Sequence, residues 1–311
     1  MATELKSRVQ EQVRKLVVGR DEEVELLLIC FLARGHTLIE GVPGVSKTLL
    51  ARAFSRCFGL ELHRIQFTPD MIPMDMVGGF VFNIENRVFE FRKGPVFTNV
   101  VLADEINRAP PKVQSALLEA MQERQVTVEG HTEQLPDPFM VIATQNPIEF
   151  QGVYPLPEGQ LDRFLMKIEL QYPDLKTESD IMVRNLEDMN PDVIQVVLGP
   201  DEIPQVFKEV LRVKISAEIV DYVSRVAQET RIDKRLSLGV SPRSAVHLIH
   251  GAQANAYLEG RDFVVPDDIK KISYRVLGHR VKLNQSALLS GMASDPAEVV
   301  KDILARVRPP R

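Results

Sequence analysis

Two rhythms of apolar and polar residues alternate along this chain. A 3.6-residue repeat predicts a helix from about Glu4 to Leu16 and a second from Glu22 to Ala33. The short run HTLIEG then reads as a strand, followed by a glycine-containing loop and a helix from Leu49 to Phe58. LHRIQFT is a further strand, and GGFVFNIENRVFEFRKGP alternates on both sides of IENR, the pattern of a hairpin over Gly79–Lys93. TNVVLADE and FMVIATQNP are continuously apolar until they end in polar residues, as expected of buried parallel strands. Between them lie a helix, PPKVQSALLEAMQER, and a second hairpin candidate, QVTVEGHTEQL. A proline-spaced loop, YPLPEGQ, precedes LDRFLMKIEL; near YPDLKTESD the pattern turns helical, and from Glu202 onward only helices are expected.

This layout predicts an α/β nucleotide-type domain over residues 1–176, a connector over 177–201 and an α-helical domain over 202–311. Hydrophobic content of 44% and charged content of 26% are those of an ordinary globular protein. No window is apolar enough to span a membrane, the opening MATELKSRVQEQVRKL is not a signal peptide, and Cys30 and Cys57 lie in apolar runs that suit buried thiols. A cytoplasmic protein without membrane insertion is expected. The net charge of −5 disfavours indiscriminate nucleic-acid binding, yet residues 231–311 hold 14 Lys/Arg against 8 Asp/Glu. That basic third is either a surface packed on acidic neighbours or one that faces phosphate.

Gly41 to Thr48, GVPGVSKT, nearly spells the phosphate-binding pattern G-x-x-x-x-G-K-[ST], with Ser46 in place of the second glycine. It sits between a strand and a helix, where amide groups of the helix N-terminus are aimed at an anion. Lys47 would meet the β- and γ-phosphates and the Thr48 hydroxyl would ligate Mg²⁺. Ser46 is expected in a helical conformation that suits any small residue, so the cradle should survive the exchange. Asp104 and Glu105 close a buried strand, where the aspartate can hold Mg²⁺ and the glutamate can polarise water; a solvated strand end is the blander alternative. Asn146 ends the next apolar strand, either as an amide that orients the same water or as a turn residue before Pro147.

GVPGVSKT, VVLADEINRAPPKVQSALLEAMQE, ATQNP, LPEGQLDRF and GVSPRS, in this order over nearly the whole chain, resemble the MoxR family of AAA+ ATPases. The resemblance implies a three-layer αβα core with a parallel sheet, a hairpin inserted in its second helix, and a C-terminal helical lid. It makes Asp104 and Glu105 the Walker B pair, Asn146 sensor 1, Arg163 the arginine finger and Arg243 sensor 2. Nucleotide contacts fall to Val18 and Gly19, to Gly41, Val42, Pro43, Gly44, Val45, Ser46, Lys47, Thr48 and Leu49 of the loop, and to Arg243. A small residue before the lysine is a habit of such loops.

The function implied is Mg²⁺-dependent ATP hydrolysis by a ring, expected to be a homo-hexamer, that remodels or matures client protein complexes with a von Willebrand A domain partner. Arg163 is placed after the last core-strand region and a loop, facing the adjacent subunit; whether Arg243 serves its own subunit or a neighbour stays open. Arg108 competes for an interface role against a salt bridge on the following helix. The alternative function is a nucleic-acid motor or loader, favoured by the basic C-terminal third but opposed by the absence of tryptophan and an aromatic content of only 6%. His247 and His250 could pair on a metal but lack a third ligand, and the Arg231, Lys234, Arg235 cluster reads as a solvated loop.

Overall fold

A computed structural model describes residues 2–42, 44–147, 153–185 and 193–310. Helices α1 (Ala2–Arg14) and α2 (Asp21–Leu32) precede strand β1 (Thr37–Gly41), helix α3 (Lys47–Cys57) and strand β2 (Leu62–Gln66). A short helix α4 (Pro73–Val77) leads into the hairpin of β3 (Gly78–Asn83) and β4 (Val88–Lys93). Strand β5 (Val100–Asp104), helix α5 (Pro111–Glu123), a second hairpin of β6 (Gln125–Val128) and β7 (His131–Gln134), and strand β8 (Met140–Gln145) follow. The one-turn helix α6 (Glu158–Leu161), strand β9 (Met166–Leu170) and helix α7 (Leu175–Asn185) complete the first part of the chain. The C-terminal part comprises α8 (Ile203–Arg212), α9 (Ala217–Ile232), β10 (Leu236–Leu238), α10 (Pro242–Leu258), α11 (Pro266–Leu277), β11 (Lys282–Leu283), α12 (Gln285–Leu289) and α13 (Pro296–Arg306).

Five strands form one parallel sheet in the order β2-β5-β8-β1-β9. Their side chains divide by the two-residue period of a strand. Val100, Leu102, Met140, Ile142, Ile39, Met166 and Ile168 enter a core shared with α1, α2, α3 and the lid. Val101, Ala103, Val141, Ala143 and Leu38 enter the opposite core, with Val113, Leu117 and Met121 of α5. Burial on both faces explains why these strands read as unbroken apolar runs. The first of the two cores runs from Leu5 to Val307, so the lid is continuous with the α/β layers.

The expectation of helices alone after Glu202 needs correction: β10 and β11 pair as a small antiparallel ribbon. Three residues at Leu236 and two at Lys282 are too short to leave an alternating signal. Of the cations at 231–235, Arg231 (at the end of α9) and Lys234 are exposed as expected, whereas Arg235 is half-buried and binds Asp233 at 3.0 Å and Asp302 at 2.7 Å.

Candidate nucleotide-hydrolysis site

Parallel pairing brings the C-terminal ends of β1, β8 and β5 to one edge of the sheet, the edge where α/β proteins place ligands. The loop after β1 is shaped by its glycines. A Cβ on Gly41 would lie 2.8 Å from the Leu170 carbonyl oxygen, whereas Gly44 has φ +85° and open space around it. Helix α3 begins at Lys47, two residues earlier than its apolar pattern suggests, so Lys47 and Thr48 occupy its first turn. Lys47 Nζ donates to the Gly41 carbonyl at 2.7 Å. Pro43 lies outside the described residues.

Ser46 departs from expectation. Its φ of 66° and ψ of 23° are left-handed, not helical, so the position does favour glycine on backbone grounds. Serine carries the Cβ that a left-handed backbone disfavours, so the loop holds this residue at a backbone cost.

Beside the loop, the two acids at the end of β5 are held by different partners. Thr144 of β8 donates from Oγ1 to Asp104 Oδ1 at 2.6 Å, and Arg64 of β2 meets Oδ2 through Nε at 3.0 Å and Nη2 at 2.7 Å. Glu105 has left-handed backbone, φ 59° and ψ 51°, which turns the chain sharply out of the strand. Its amide donates to Thr144 Oγ1 at 3.0 Å. Its carboxylate Oε2 accepts from Gln66 Nε2 at 2.9 Å and meets Arg108 Nε at 3.2 Å. Arg108 thus makes the local salt bridge that was one of its two alternatives, but to the acid preceding it. Asn146, buried, leaves the end of β8, the strand between β1 and β5.

On the other side of the loop a cleft is lined by Leu16, Val17, Val18, Arg20, Gly44, Val45, Ser46, Leu49, Pro173 and Ile181. Apolar walls next to the phosphate loop suit a flat heteroaromatic ring. Gly19 packs against Thr177 at the start of α7.

The two arginines singled out from sequence lie elsewhere. Arg163 precedes the last core strand, β9, rather than following it. Because Gly41 pairs with Leu170 at the far end of that strand, Arg163 belongs to the N-terminal edge of the sheet, opposite its own phosphate loop. There Leu165 N donates to the His36 carbonyl at 2.9 Å, just ahead of β1. Arg243 stands in the first turn of α10, exposed, and its charge together with burial lowers the pKa of Arg163 while Glu119 opposes the shift; burial is the largest cause. Ser241 and Ser244, on either side of Arg243, both bind the carboxylate of Asp162, at 2.8 Å each. Arg163 and Arg243 are therefore brought together, and neither is brought to the loop of the same chain.

Residues 36–166 match the ATPase family associated with various cellular activities (AAA), and residues 228–303 match the AAA lid domain. The chain is 41% identical to Chaperone MoxR1 of Mycobacterium tuberculosis over 96% of its own length and 81% of that protein. The chain belongs to the MoxR family of AAA+ ATPases. Protein MoxR of Methylorubrum extorquens is 32% identical over 89% of this chain and 87% of its own. YeaC of Bacillus subtilis is 42% identical over 98% of this chain and 95% of its own. A crystal structure from Cytophaga hutchinsonii superposes with a TM-score of 0.90 at 39% identity, over 100% of this chain and 97% of that one.

This MoxR-family chain is a nucleotide-binding ATPase with an α/β core and a C-terminal lid. Three residues that belong to no motif also hold the acids: Arg64, Gln66 and Thr144. Arg64 and Gln66 are i, i+2 on β2, hence on one face, and β2 pairs in register with β5 so that Gln66 lies across from Asp104. Two polar residues on one face of LHRIQ were the available signal. Among the described residues no helix is long and apolar enough to cross a membrane.

Proposed function

We propose that this chain hydrolyses ATP at the contact between two copies of itself, in a ring expected to be hexameric, and that the turnover remodels client protein complexes in the cytoplasm. The observation that carries this reading is the position of Arg163. Strand β9 and the residues before it separate Arg163 from its own phosphate loop by on the order of 15–20 Å, well beyond the reach of one side chain. An arginine finger contributes about 10³–10⁵ in rate, and this one can serve only a nucleotide held by another copy. Arg243 is fastened beside it through Asp162, so it acts across the same boundary.

Within the receiving subunit Gly41–Thr48 cradles the phosphates, with Lys47 released from the Gly41 carbonyl to the β- and γ-oxygens. Val18 and Leu49 line the cleft that takes the adenine, and Gly19 follows Val18 at its edge. The Thr48 hydroxyl and the Asp104 carboxylate are hard oxygen donors at the same edge of the sheet, after β1 and at the end of β5, and fit Mg²⁺, which when bound supplies positive charge to the phosphate oxygens. Glu105 accepts a proton from the attacking water and Asn146 orients it. Hydrolysis transfers the γ-phosphoryl group to that water, giving ADP and phosphate.

The name Chaperone MoxR1 of one relative supports a remodelling role, and the family resemblance supports a partner with a von Willebrand A domain. The nucleic-acid alternative finds less support. Lid cations face acids of the core, as in Lys271–Glu25 at 2.6 Å, Lys282–Glu158 at 2.6 Å and Arg275–Glu22 at 3.4 Å, so much of the basic surplus is internally paired. The test is ATPase activity of Arg163→Ala alone and mixed with Glu105→Gln. Each variant should be nearly inactive, and the mixture should recover, because one copy supplies an intact loop and Glu105 while the other supplies the arginine. Full activity of Arg163→Ala alone overturns the reading, and strong stimulation of the parent by DNA would favour the alternative.

A further inference from the structure

We propose that Arg280 is a positioning residue that locks Arg163 of the core and Arg243 of the lid into one rigid pair, so that both cations reach the neighbouring nucleotide together. This rests on the reading that they act across a subunit boundary.

Arg280 follows α11 and is 5% exposed. Its guanidinium grips the chain on both sides of Arg163: Nη2 donates to the Asp162 carbonyl at 3.2 Å and to the Phe164 carbonyl at 2.6 Å. Nη1 donates to Val276 O at 2.6 Å and, more weakly, to Leu165 O at 3.4 Å. Nε lies 3.1 Å from Asp162 Oδ1, an ionic contact without the alignment of a hydrogen bond. The same Asp162 carboxylate accepts the Ser241 and Ser244 hydroxyls that flank Arg243. Behind it, Nη2 also faces Nδ1 of His247 on the next turn of α10, its two N–H groups being shared among three acceptors.

One guanidinium therefore connects α11, α10 and the segment leading into β9. A buried ion pair adds little net stability over apolar packing, because desolvation offsets most of the attraction. What the planar five-donor fork adds is direction. With carbonyls 162 and 164 both fixed, the Cα–Cβ vector of Arg163 is fixed, and Asp162 transmits that frame to the first turn of α10. Arg163 Nε is buried and has no hydrogen-bond partner among the described residues, so that atom does not anchor the side chain. An arginine that must meet a transition state on another molecule needs such external support, since a misplacement of about 1 Å can cost on the order of 10²-fold in rate.

Arg280→Lys keeps the charge but replaces the planar fork with a single rotatable ammonium, which does not fix the direction of the carbonyls on either side of Arg163. It should bind a fluorescent ATP analogue within about twofold of the parent while kcat falls about 10- to 100-fold. Mixed with Glu105→Gln, it should regain activity, because its own loop and acids are intact and the neighbour supplies well-placed arginines. A purely structural defect would not be rescued in this way. Arg163→Ala mixed with Glu105→Gln is the control for the underlying reading. If the control mixture recovers but the Arg280→Lys mixture does not, or if Arg280→Lys alone turns over at the parental rate, the proposal is wrong. If the control itself fails to recover, the reading across subunits falls and this proposal falls with it. Should Arg280→Lys melt early, Ser244→Ala removes one bond to Asp162 without stranding a charge; it must show the same rescue with a smaller defect, and parental kcat in that variant counts against the proposal.

Discussion

Gln66 Nε2 donates a 2.9 Å hydrogen bond to Oε2 of Glu105, the carboxylate proposed to take the proton from water. That oxygen also meets Arg108 at 3.2 Å, so two donors compete with water for the same lone pairs. An oxygen already held by Gln66 and Arg108 has fewer lone pairs left to receive the attacking water. Gln66→Ala should raise basal kcat by about two- to tenfold with little change in KM. A fall in kcat would mean that Gln66 aligns Glu105 rather than restrains it.

Asp104 is buried and its Oδ2 is occupied by Arg64, which is itself half-exposed. The cation of Arg64 opposes a second cation at the same carboxylate. In Arg64→Gln the Mg²⁺ concentration for half-maximal ATPase should drop by roughly two- to fivefold, a modest change because solvent screens the exposed guanidinium. An unchanged or higher Mg²⁺ requirement would remove Arg64 from this role.

The left-handed conformation of Ser46 allows a direct test of the loop. Ser46→Gly removes a backbone penalty of about 1 kcal/mol but gives the unfolded chain more freedom, so the melting temperature should move little. Ser46→Val, β-branched at positive φ, should cost about 1–3 kcal/mol and weaken ADP binding together with it. Thermal unfolding with and without ADP reads both effects. Equal stability of the valine and glycine variants would show that the loop relaxes away from this conformation.

Sequence patterns carried most of the architecture because the decisive segments are extreme. VVLAD and MVIAT are buried on both faces, and α5 begins at Pro111 with apolar residues at helical spacing, so tertiary context only reinforces local preference. The chain order of the loop, the acids and Asn146 was equally legible, since each ends a parallel strand. What could not be read is anything set by pairing across the sheet. Nothing in LHRIQ says that Arg64 and Gln66 face Asp104 and Glu105 until β2 is known to lie beside β5. Likewise, the distance of Arg163 from its own loop depends on the parallel register of β9 with β1. The φ of Ser46 is a third instance, because a small polar residue is compatible with both helical and left-handed backbone. The β10–β11 ribbon failed for a simpler reason: segments of three and two residues carry no period.

His36, buried in the core, and His247, half-buried on α10, give the fold an acid-sensitive edge. His36 Nδ1 accepts from the Val141 amide at 3.0 Å, which places its proton on Nε2, 3.0 Å from the Met121 carbonyl. Burial lowers its pKa from the ordinary value near 6.5 to about 4, and Arg124 adds to the shift against the bond to Met121. His247 is lowered to about 3, first by burial and then by Arg280 and Arg243. Both rings are neutral in the folded chain and would take a proton sooner when unfolded. The stability tied to neutrality is therefore fully present above pH 6.5 and is lost as pH falls toward 4. The slope reaches about 1.4 kcal/mol per pH unit for each histidine, and a loss of roughly 3 kcal/mol from His36 alone is expected across that window. Urea unfolding at pH 7, 6 and 5 should show midpoints that fall steadily. His36→Asn should start lower at pH 7, having lost the bond geometry, but fall less steeply below pH 6.5. Parallel slopes for the two proteins, or an imidazole of His36 that titrates near 6.5 by NMR, would rule out this origin of acid lability.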